Sequence, residues 1–212
     1  MIDPTVCDRC GALDEVLNRA PGAEPALRCG LCGAHRAFRC LPLLCLTGPS
    51  AAGKSTVAAQ VATRLQHHVI TLEQDVLWEA RLAHEPGGVG SFRARWLRLA
   101  AMISQNGRPV LLCGTVVPEE LEPQPERALF SAIHYLTLDA ADVVLAARLR
   151  ARPAWRGWNE DRIAEMLLFA GRLRLRSDLD RLNTEGRSAH EVAEEVARWA
   201  LTRTALPSNS TL

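Results

Sequence analysis

The sequence lacks an excess of charge of either sign. Its 212 residues include 25 lysines and arginines against 24 aspartates and glutamates, which gives a formal net charge of +1. No global field therefore favours a nucleic acid or an anionic membrane surface as a partner, so any binding of a polyanion must be local. A nucleic-acid partner stays open on this charge balance but is not favoured.

Long apolar segments are also missing. The N-terminal residues MIDPTVCDRC contain no basic segment followed by an apolar one, and no run approaches the ~20 apolar residues of a membrane helix. We therefore expect a cytoplasmic protein without a membrane partner. The length fits one sizeable α/β domain with a small appendage, because single domains typically contain about 100–200 residues.

The sequence does contain a phosphate-binding pattern in Leu41–Thr56, which reads LPLLCLTGPSAAGKST. The spacing G-x4-G-K-S, which begins at Gly48, matches a P-loop. Its glycines let backbone N–H groups converge on phosphate oxygens, Lys54 supplies charge to the β- and γ-phosphates, and the Ser55 hydroxyl can bind Mg²⁺. The apolar run before the motif and the amphipathic pattern after it favour a P-loop over an ordinary strand–turn–helix connection. We predict nucleotide contacts at Gly48, Ser50, Ala51, Ala52, Gly53, Lys54, Ser55 and Thr56.

Four of the seven cysteines form two Cys-x2-Cys pairs with 18 residues between them. This spacing is typical of a four-cysteine zinc ribbon, so we predict that Cys7, Cys10, Cys29 and Cys32 bind a structural zinc ion. His35 and Cys40 lie close enough to substitute as ligands, but we interpret them as bystanders. We expect residues 1–40 to form this module, with a loop at Asn18–Pro25, and residues 41–212 to form the main domain.

Three short apolar or β-branched runs, at 68–72, 110–113 and 133–138, predict buried parallel strands, and 179–183 predicts a fifth strand less clearly. The carboxyl ends of such strands face the ligand crevice of an open α/β sheet. With the apolar run before the P-loop counted as the first strand, Glu73 and Asp75 follow the second strand at 68–72. Thr115 follows the third strand at 110–113. We interpret Asp75 as the base for an acceptor hydroxyl or as the cap of a helix that begins near Val76, two roles that do not exclude each other.

One departure from the usual pattern concerns charge. The third strand ends in Cys113 where P-loop proteins usually have an acid, so metal coordination by that route is absent. Further along, Asp139 is placed to cap a helix over 140–150, and Asn159 and Ser188 are placed to cap the two later helices. Among the arginines of the helix over 91–105, Arg95 is our candidate for contact with an anionic substrate.

An arginine-rich segment begins at the end of the helix over 140–150. Arg148, Arg150, Arg152 and Arg156 lie within nine residues of one another, beside Trp155 and Trp158. We interpret the segment as a phosphate lid around 148–176, since guanidinium groups bind phosphate oxygens in pairs. The alternative is a basic helix end that the helix dipole favours.

Together these parts resemble the small P-loop kinases, a superfamily that includes gluconate and shikimate kinases, chloramphenicol phosphotransferase and nucleoside monophosphate kinases. The resemblance covers about 41–201 and rests on GPSAAGKST, LEQD, RLRARP and LNTEG. It implies a P-loop NTPase-type parallel sheet flanked by helices, with Arg148 near the adenine and Arg152 on the transferring phosphates. It further implies that Asp75 binds or deprotonates the acceptor and that Asn183 and Thr184 lie near the adenine.

We therefore expect a Mg²⁺- and ATP-dependent phosphotransferase that acts on a hydroxyl or phosphate of a small molecule. Lys54 would hold the phosphates, and Arg152 with Arg156 would neutralise developing charge. The predicted acceptor contacts are Glu73, Asp75, Arg95 and Thr115. Two alternatives remain: a polynucleotide-end kinase whose ribbon presents a nucleic acid, and a nucleotide-binding switch or NTPase whose ribbon docks a protein partner.

Overall fold

The computed structural model describes residues 3–13, 18–19, 26–79, 82, 84 and 86–204. Near the N-terminus, three short strands form an antiparallel sheet: β1 (Asn18–Arg19), β2 (Ala26–Arg28) and β3 (His35–Ala37). Apart from Asn18 and Arg19, the predicted loop Asn18–Pro25 lies outside the described residues.

A second, five-stranded sheet forms the centre of the molecule. Its strands are β4 (Leu43–Thr47), β5 (Ile70–Glu73), β6 (Val110–Cys113), β7 (Ile133–Asp139) and β8 (Asp180–Asn183). All neighbouring pairs are parallel, in the order β5-β6-β4-β7-β8. The strand that leads into the P-loop is central and buried along its whole length, so the predicted α/β parallel-sheet fold is confirmed.

In the part of the chain that the structure describes, six α-helices accompany the strands. They are α1 (Lys54–Arg64), α2 (Gly88–Ser104), α3 (Pro118–Leu121), α4 (Asp142–Arg150), α5 (Glu160–Arg174) and α6 (Ala189–Thr204). The apolar sides of α1 and α6 share one core cluster with β4, whereas α2 contributes to the other. Each face of the sheet therefore has its own core. No helix in the described part of the chain combines the length and the apolar character needed to cross a membrane.

Two of the four predicted helix caps, those at Asn159 and Ser188, are confirmed. The Asn159 side chain accepts a hydrogen bond from the Arg162 backbone N–H at 2.9 Å, and Ser188 and Glu191 form a reciprocal capping box. The prediction for Asp139 is wrong, because α4 begins at Asp142 and no side chain caps it. Both carboxylate oxygens of Asp139 instead accept hydrogen bonds from Arg174 at 2.7 and 3.0 Å.

The N-terminal module packs against α2. Leu27 and Phe38 are buried in the same cluster as Trp96 and Leu97 of that helix. At the edge of this contact the Arg39 backbone N–H donates to Gln105 Oε1 at 2.9 Å. The module therefore shares its apolar core with the large sheet.

Candidate active site

A cavity of about 810 Å³ opens at the carboxyl edge of the large sheet. Its wall is built from the P-loop, the residues that follow β5 and β6, the segment after α4 and the turn before α6. This is the position where open α/β sheets bind ligands, because the strand ends and helix N-termini converge there.

The P-loop backbone adopts conformations that require its glycines. Gly48 has φ +130°, and a Cβ at this position would overlap the Leu138 carbonyl oxygen of the neighbouring strand. Gly53, at the N-cap of α1, has φ +97°. Both values disfavour L-residues with side chains. Gly48 itself lies behind the cavity wall, whereas the predicted loop contacts from Ser50 to Thr56 line the cavity.

Lys54 folds back onto the loop that precedes it. Its Nζ donates hydrogen bonds to the carbonyl oxygens of Gly48 at 2.8 Å and Pro49 at 2.9 Å. Burial in this position lowers the pKa of Lys54 to about 8, because desolvation disfavours the charged form. The ammonium is therefore held against the loop backbone, in the wall of the cavity.

Four arginines join Lys54 on the cavity surface: Arg148, Arg152, Arg156 and Arg187. We call these five cations the cationic end. Arg148 donates to the Ala51 carbonyl oxygen at 3.2 Å, which ties α4 to the P-loop. The Arg156 guanidinium lies 4.6 Å from the centre of the Trp155 ring. Sequence analysis missed Arg187, which follows the LNTEG segment and pairs with Glu195.

Burial and the nearby Arg156 lower the pKa of Arg152, since two guanidinium charges repel each other. Arg150 belongs to the same sequence cluster but is bound in two hydrogen bonds to Glu160, at 2.8 and 2.6 Å. Arg150 does not line the cavity. Three of the four clustered arginines thus share one surface, as a phosphate lid requires.

Glu73 and Asp75 form what we call the acidic end of the cavity. Glu73 pairs in register with Cys113 across β5 and β6, and its Oε1 is buried without a hydrogen-bond partner. Burial, with Glu73 nearby, raises the pKa of the Cys113 thiol well above its usual range. Asp75 is exposed in the first turn of a 3-10 helix over 74–77 whose N-cap position is Glu73. The predicted capping role of Asp75 is therefore wrong.

A buried network between these two carboxylates escaped sequence analysis. Gln74 is buried, and its Oε1 accepts a hydrogen bond from Arg93 at 2.6 Å. Arg93 also donates to the Thr115 carbonyl oxygen at 2.8 Å and forms an ion pair with Glu120 at 2.8 Å. The Gln74 side chain fills the space where a Cβ on Gly114 would lie. The network joins α2, the β6–α3 segment and the strand end that carries both acids.

Two predicted site residues lie elsewhere. Arg95 is exposed on α2 and does not line the cavity, because its neighbour Arg93 occupies the inward position. Asn183 does not line the cavity either, since its side chain accepts a hydrogen bond from the Glu185 backbone N–H at 2.9 Å. Thr184 is buried against the cavity and donates to the Asp139 carbonyl oxygen at 3.0 Å. Thr115 also lines the cavity.

The four paired cysteines converge outside the cavity. Their sulfur atoms all lie within 4.8 Å of one another. The Cys7–Cys32 and Cys10–Cys29 sulfur distances are 3.7 and 3.8 Å, and four sulfurs about 2.3 Å from one zinc ion would lie ~3.8 Å apart. Backbone N–H groups of Cys10 and Arg9 lower the pKa of the Cys7 thiol to about 7. Among the described residues, His35 and Cys40 are not part of the cluster.

The turns that carry the two Cys-x2-Cys pairs have the same backbone hydrogen bonds. The N–H of Gly11 donates to the Cys7 carbonyl oxygen at 2.9 Å, and the N–H of Gly33 donates to the Cys29 carbonyl oxygen at 3.0 Å. Both glycines have positive φ, +70° and +67°. The glycine N–H groups thus bind backbone carbonyl oxygens and close the turns. The N–H that donates to a sulfur atom is that of Cys32, which lies 3.5 Å from the Cys29 sulfur.

Comparison with known proteins agrees with this geometry. No curated protein sequence matches the chain. Among solved structures, the tunicamycin resistance protein of Deinococcus radiodurans is 18% identical, with a TM-score of 0.57 over 76% of this chain and 96% of that one. A gluconokinase from Sinorhizobium meliloti is 18% identical, with a TM-score of 0.53 over 78% and 93%. A sugar kinase from Janibacter sp. is 16% identical, with a TM-score of 0.53 over 76% and 93%.

At these identities the structural likeness concerns the fold. A family model described as an AAA domain matches residues 43–173, which is more than half of the chain and includes the P-loop, the acidic end and the arginine-rich segment. The chain therefore belongs to this AAA-domain family, and its main domain is a kinase-like P-loop domain.

Proposed function

We propose that the protein is an ATP-dependent phosphotransferase that moves the γ-phosphoryl group to a small-molecule acceptor. The observation that carries this proposal is the union, in one cavity, of a P-loop lysine, lid arginines and two carboxylates. A nucleotide-binding switch needs the P-loop but has no use for carboxylates that face an open space beyond it. A polynucleotide-end kinase would need a cationic path for its strand, and the acidic end opposes one.

In the proposed mechanism the cationic end binds the nucleotide phosphates and the acidic end binds the acceptor. Loop N–H groups and Lys54 hold the β- and γ-phosphates, with Arg148 near the nucleotide and Thr184 on the same side. Arg152 and Arg156 neutralise the charge that develops during transfer. At the other end Asp75 orients the acceptor hydroxyl and accepts its proton.

Magnesium fits this cavity although Cys113 replaces the usual acid. Mg²⁺ prefers oxygen ligands, and it commonly binds one or two carboxylates together with substrate phosphates and water. The Ser55 hydroxyl lines the cavity, and the unpartnered Oε1 of Glu73 supplies a carboxylate oxygen next to Cys113. When bound there, the ion would compensate part of the negative charge of the phosphates.

We also propose that Cys7, Cys10, Cys29 and Cys32 hold a structural zinc ion. The sulfur distances fit a tetrahedral four-thiolate site, and such a closed site leaves no position for a substrate. The bound zinc ion would stabilise the folded state of the module. The module would thereby stabilise the surface of α2, the helix that carries Arg93.

The test is an acceptor screen with the purified full chain and Mg²⁺-ATP, scored by the mass of phosphorylated products. Nucleosides, nucleotides, sugars, aminoglycoside-like and amphenicol-like compounds and RNA ends would serve as acceptors. We expect acceptor-dependent ADP formation that falls about 10³-fold or more in Lys54→Ala, because the variant loses a phosphate-binding charge. Arg150→Ala is the matched control, since Arg150 lies outside the cavity. ATP hydrolysis without any phosphorylated product would contradict the proposal.

A further inference from the structure

The charges of the cavity are sorted along the sheet. Lys54 follows the central strand β4, the lid arginines follow β7 through α4, and Arg187 follows β8. Glu73 is the last residue of β5 and Asp75 follows it, at the opposite edge of the sheet. The cations therefore lie on the side of the cavity where the nucleotide phosphates would bind. The part of the cavity beyond the phosphates, where an acceptor would bind, is lined by the two carboxylates.

The arginines of α2 do not compensate for these carboxylates. Arg93 forms an ion pair with Glu120, and its two terminal nitrogens donate hydrogen bonds to Gln74 and Thr115. Its Nε is buried without a hydrogen-bond partner and does not line the cavity. Arg98 is paired with Glu126 at 2.7 Å, and Arg95 is exposed away from the cavity. Among the described residues that line the cavity, the cations are Lys54 and the four arginines that follow β7 and β8, and none of them belongs to α2.

We propose that the acceptor is an uncharged or cationic hydroxyl compound, such as a polyol or an amino sugar, and not a phosphate, sulfate or carboxylate. The inference rests on the proposed phosphotransferase function and narrows its substrate class. Carboxylates accept hydrogen bonds from hydroxyl and ammonium groups. An anionic acceptor would instead bring a like charge beside them in a partly desolvated site, where repulsion is strong.

The magnesium ion that accompanies ATP does not reverse this preference. ATP with one bound Mg²⁺ keeps a net negative charge, so the pair adds to the repulsion of an anionic acceptor. If Glu73 serves the metal, Asp75 still faces the acceptor. The described cation close enough to interact with Asp75 is Lys54, and the phosphates of the bound nucleotide would neutralise that charge. In the transfer, the acceptor oxygen forms a bond to the γ-phosphorus, the bridging oxygen leaves with ADP, and the hydroxyl proton passes to Asp75.

The experiment compares acceptors that share a carbon skeleton but differ in charge. Glucose, glucosamine, gluconate and glucose 6-phosphate form one set, and a nucleoside with its 5′-monophosphate forms another. We expect phosphorylated products from neutral or amino members, with kcat/KM at least about tenfold lower for each anionic counterpart. Equal or faster turnover of an anionic member would overturn the charge inference and leave the phosphotransferase function standing. Absence of any product, with ATP still hydrolysed, would overturn both.

A charge variant gives a second readout on whichever acceptor is turned over. Glu120→Gln removes the charge that neutralises Arg93, while a glutamine can still accept the hydrogen bond from the Val117 N–H that caps α3. We expect kcat/KM for the anionic members to rise by about threefold or more relative to the neutral ones. The adjacent Glu119→Gln removes a carboxylate charge that is paired with Arg176 outside the cavity, and it should leave this ratio unchanged. An unchanged ratio in folded Glu120→Gln would contradict the inference.

Discussion

The two ends of the cavity are built in different ways. The cationic end comes mainly from one continuous motif and one arginine-rich segment, in which backbone conformation and local spacing already define the site. The acidic end depends on partners that are distant in sequence, because Gln74, which lies between Glu73 and Asp75, is held by hydrogen bonds to Arg93 and Thr115. Residues of one or two chain segments can thus form most of a nucleotide site, whereas an acceptor site depends on residues that only the fold brings together.

The substitution Asp75→Asn should distinguish the roles of the two ends most clearly. We expect turnover to fall by ~10²–10⁴, the range for general acid–base groups, with the ATP dissociation constant nearly unchanged. The free energy of unfolding should stay within about 0.5 kcal/mol, even in Asp75→Ala, because the side chain is exposed and caps no helix. Steady-state kinetics, nucleotide titration and thermal melts measure the three quantities, with exposed Glu165→Gln as the control. Near-normal turnover in Asp75→Asn would leave Glu73 as the remaining candidate.

Loss of the cysteine site tests whether the module supports the acidic end. Cys29→Ser should reduce zinc from about one ion per chain to well below that level and lower the melting temperature by roughly 5 °C or more. Because the module packs on α2, turnover should fall more than ATP affinity. Cys40→Ser should keep its zinc, since Cys40 lies outside the sulfur cluster. Elemental analysis that finds no zinc in the unmodified protein would refute the metal site.

Gly114→Ala probes the packing behind the acids. A Cβ there would overlap the buried Gln74 side chain, so we expect a loss of about 1–3 kcal/mol in unfolding free energy from overpacking. The shift of Gln74 should also lower kcat by about tenfold, since misplaced catalytic groups lose rate, while ATP affinity stays within about twofold. Gly171→Ala is the matched control, because nothing lies within 4 Å of its added Cβ and alanine favours a helix. Equal behaviour of the two variants would contradict a role of the buried Gln74 side chain in positioning the two acids.

The smallest effect concerns the cationic end alone. With a pKa of about 8 in the free protein, Lys54 is charged below that pH and must take up a proton to bind phosphate above it. ATP affinity should therefore be steady below about pH 8 with respect to this group, and fall by at most about tenfold per unit above it. Lys54 is the only lysine in the sequence, so isotope-labelled lysine gives a single side-chain resonance whose titration reports the pKa directly. A midpoint near 10.5 would refute the desolvated position.

Much of the molecule followed from the sequence by itself. The P-loop could be predicted because its residue types act through the backbone of one segment, and the parallel strands because buried runs such as 110–113 are continuous and apolar. The strand β8 was less clear, since it lies at the edge of the sheet and its residues alternate between partly buried and exposed. The cysteine pairs were found because zinc imposes a short, regular spacing on its ligands.

The tertiary structure alone decided which charges meet. The sequence placed Arg93 and Arg95 two residues apart on one helix, yet one is buried in the acid-end network and the other is exposed, because the rotation of α2 against the sheet is set by packing. It likewise placed Asp139 before a helix, where a distant arginine binds it more strongly than the helix N-terminus does. Residue types and spacings define groups that act within one segment, whereas the partner of a charge depends on which segments the core brings together.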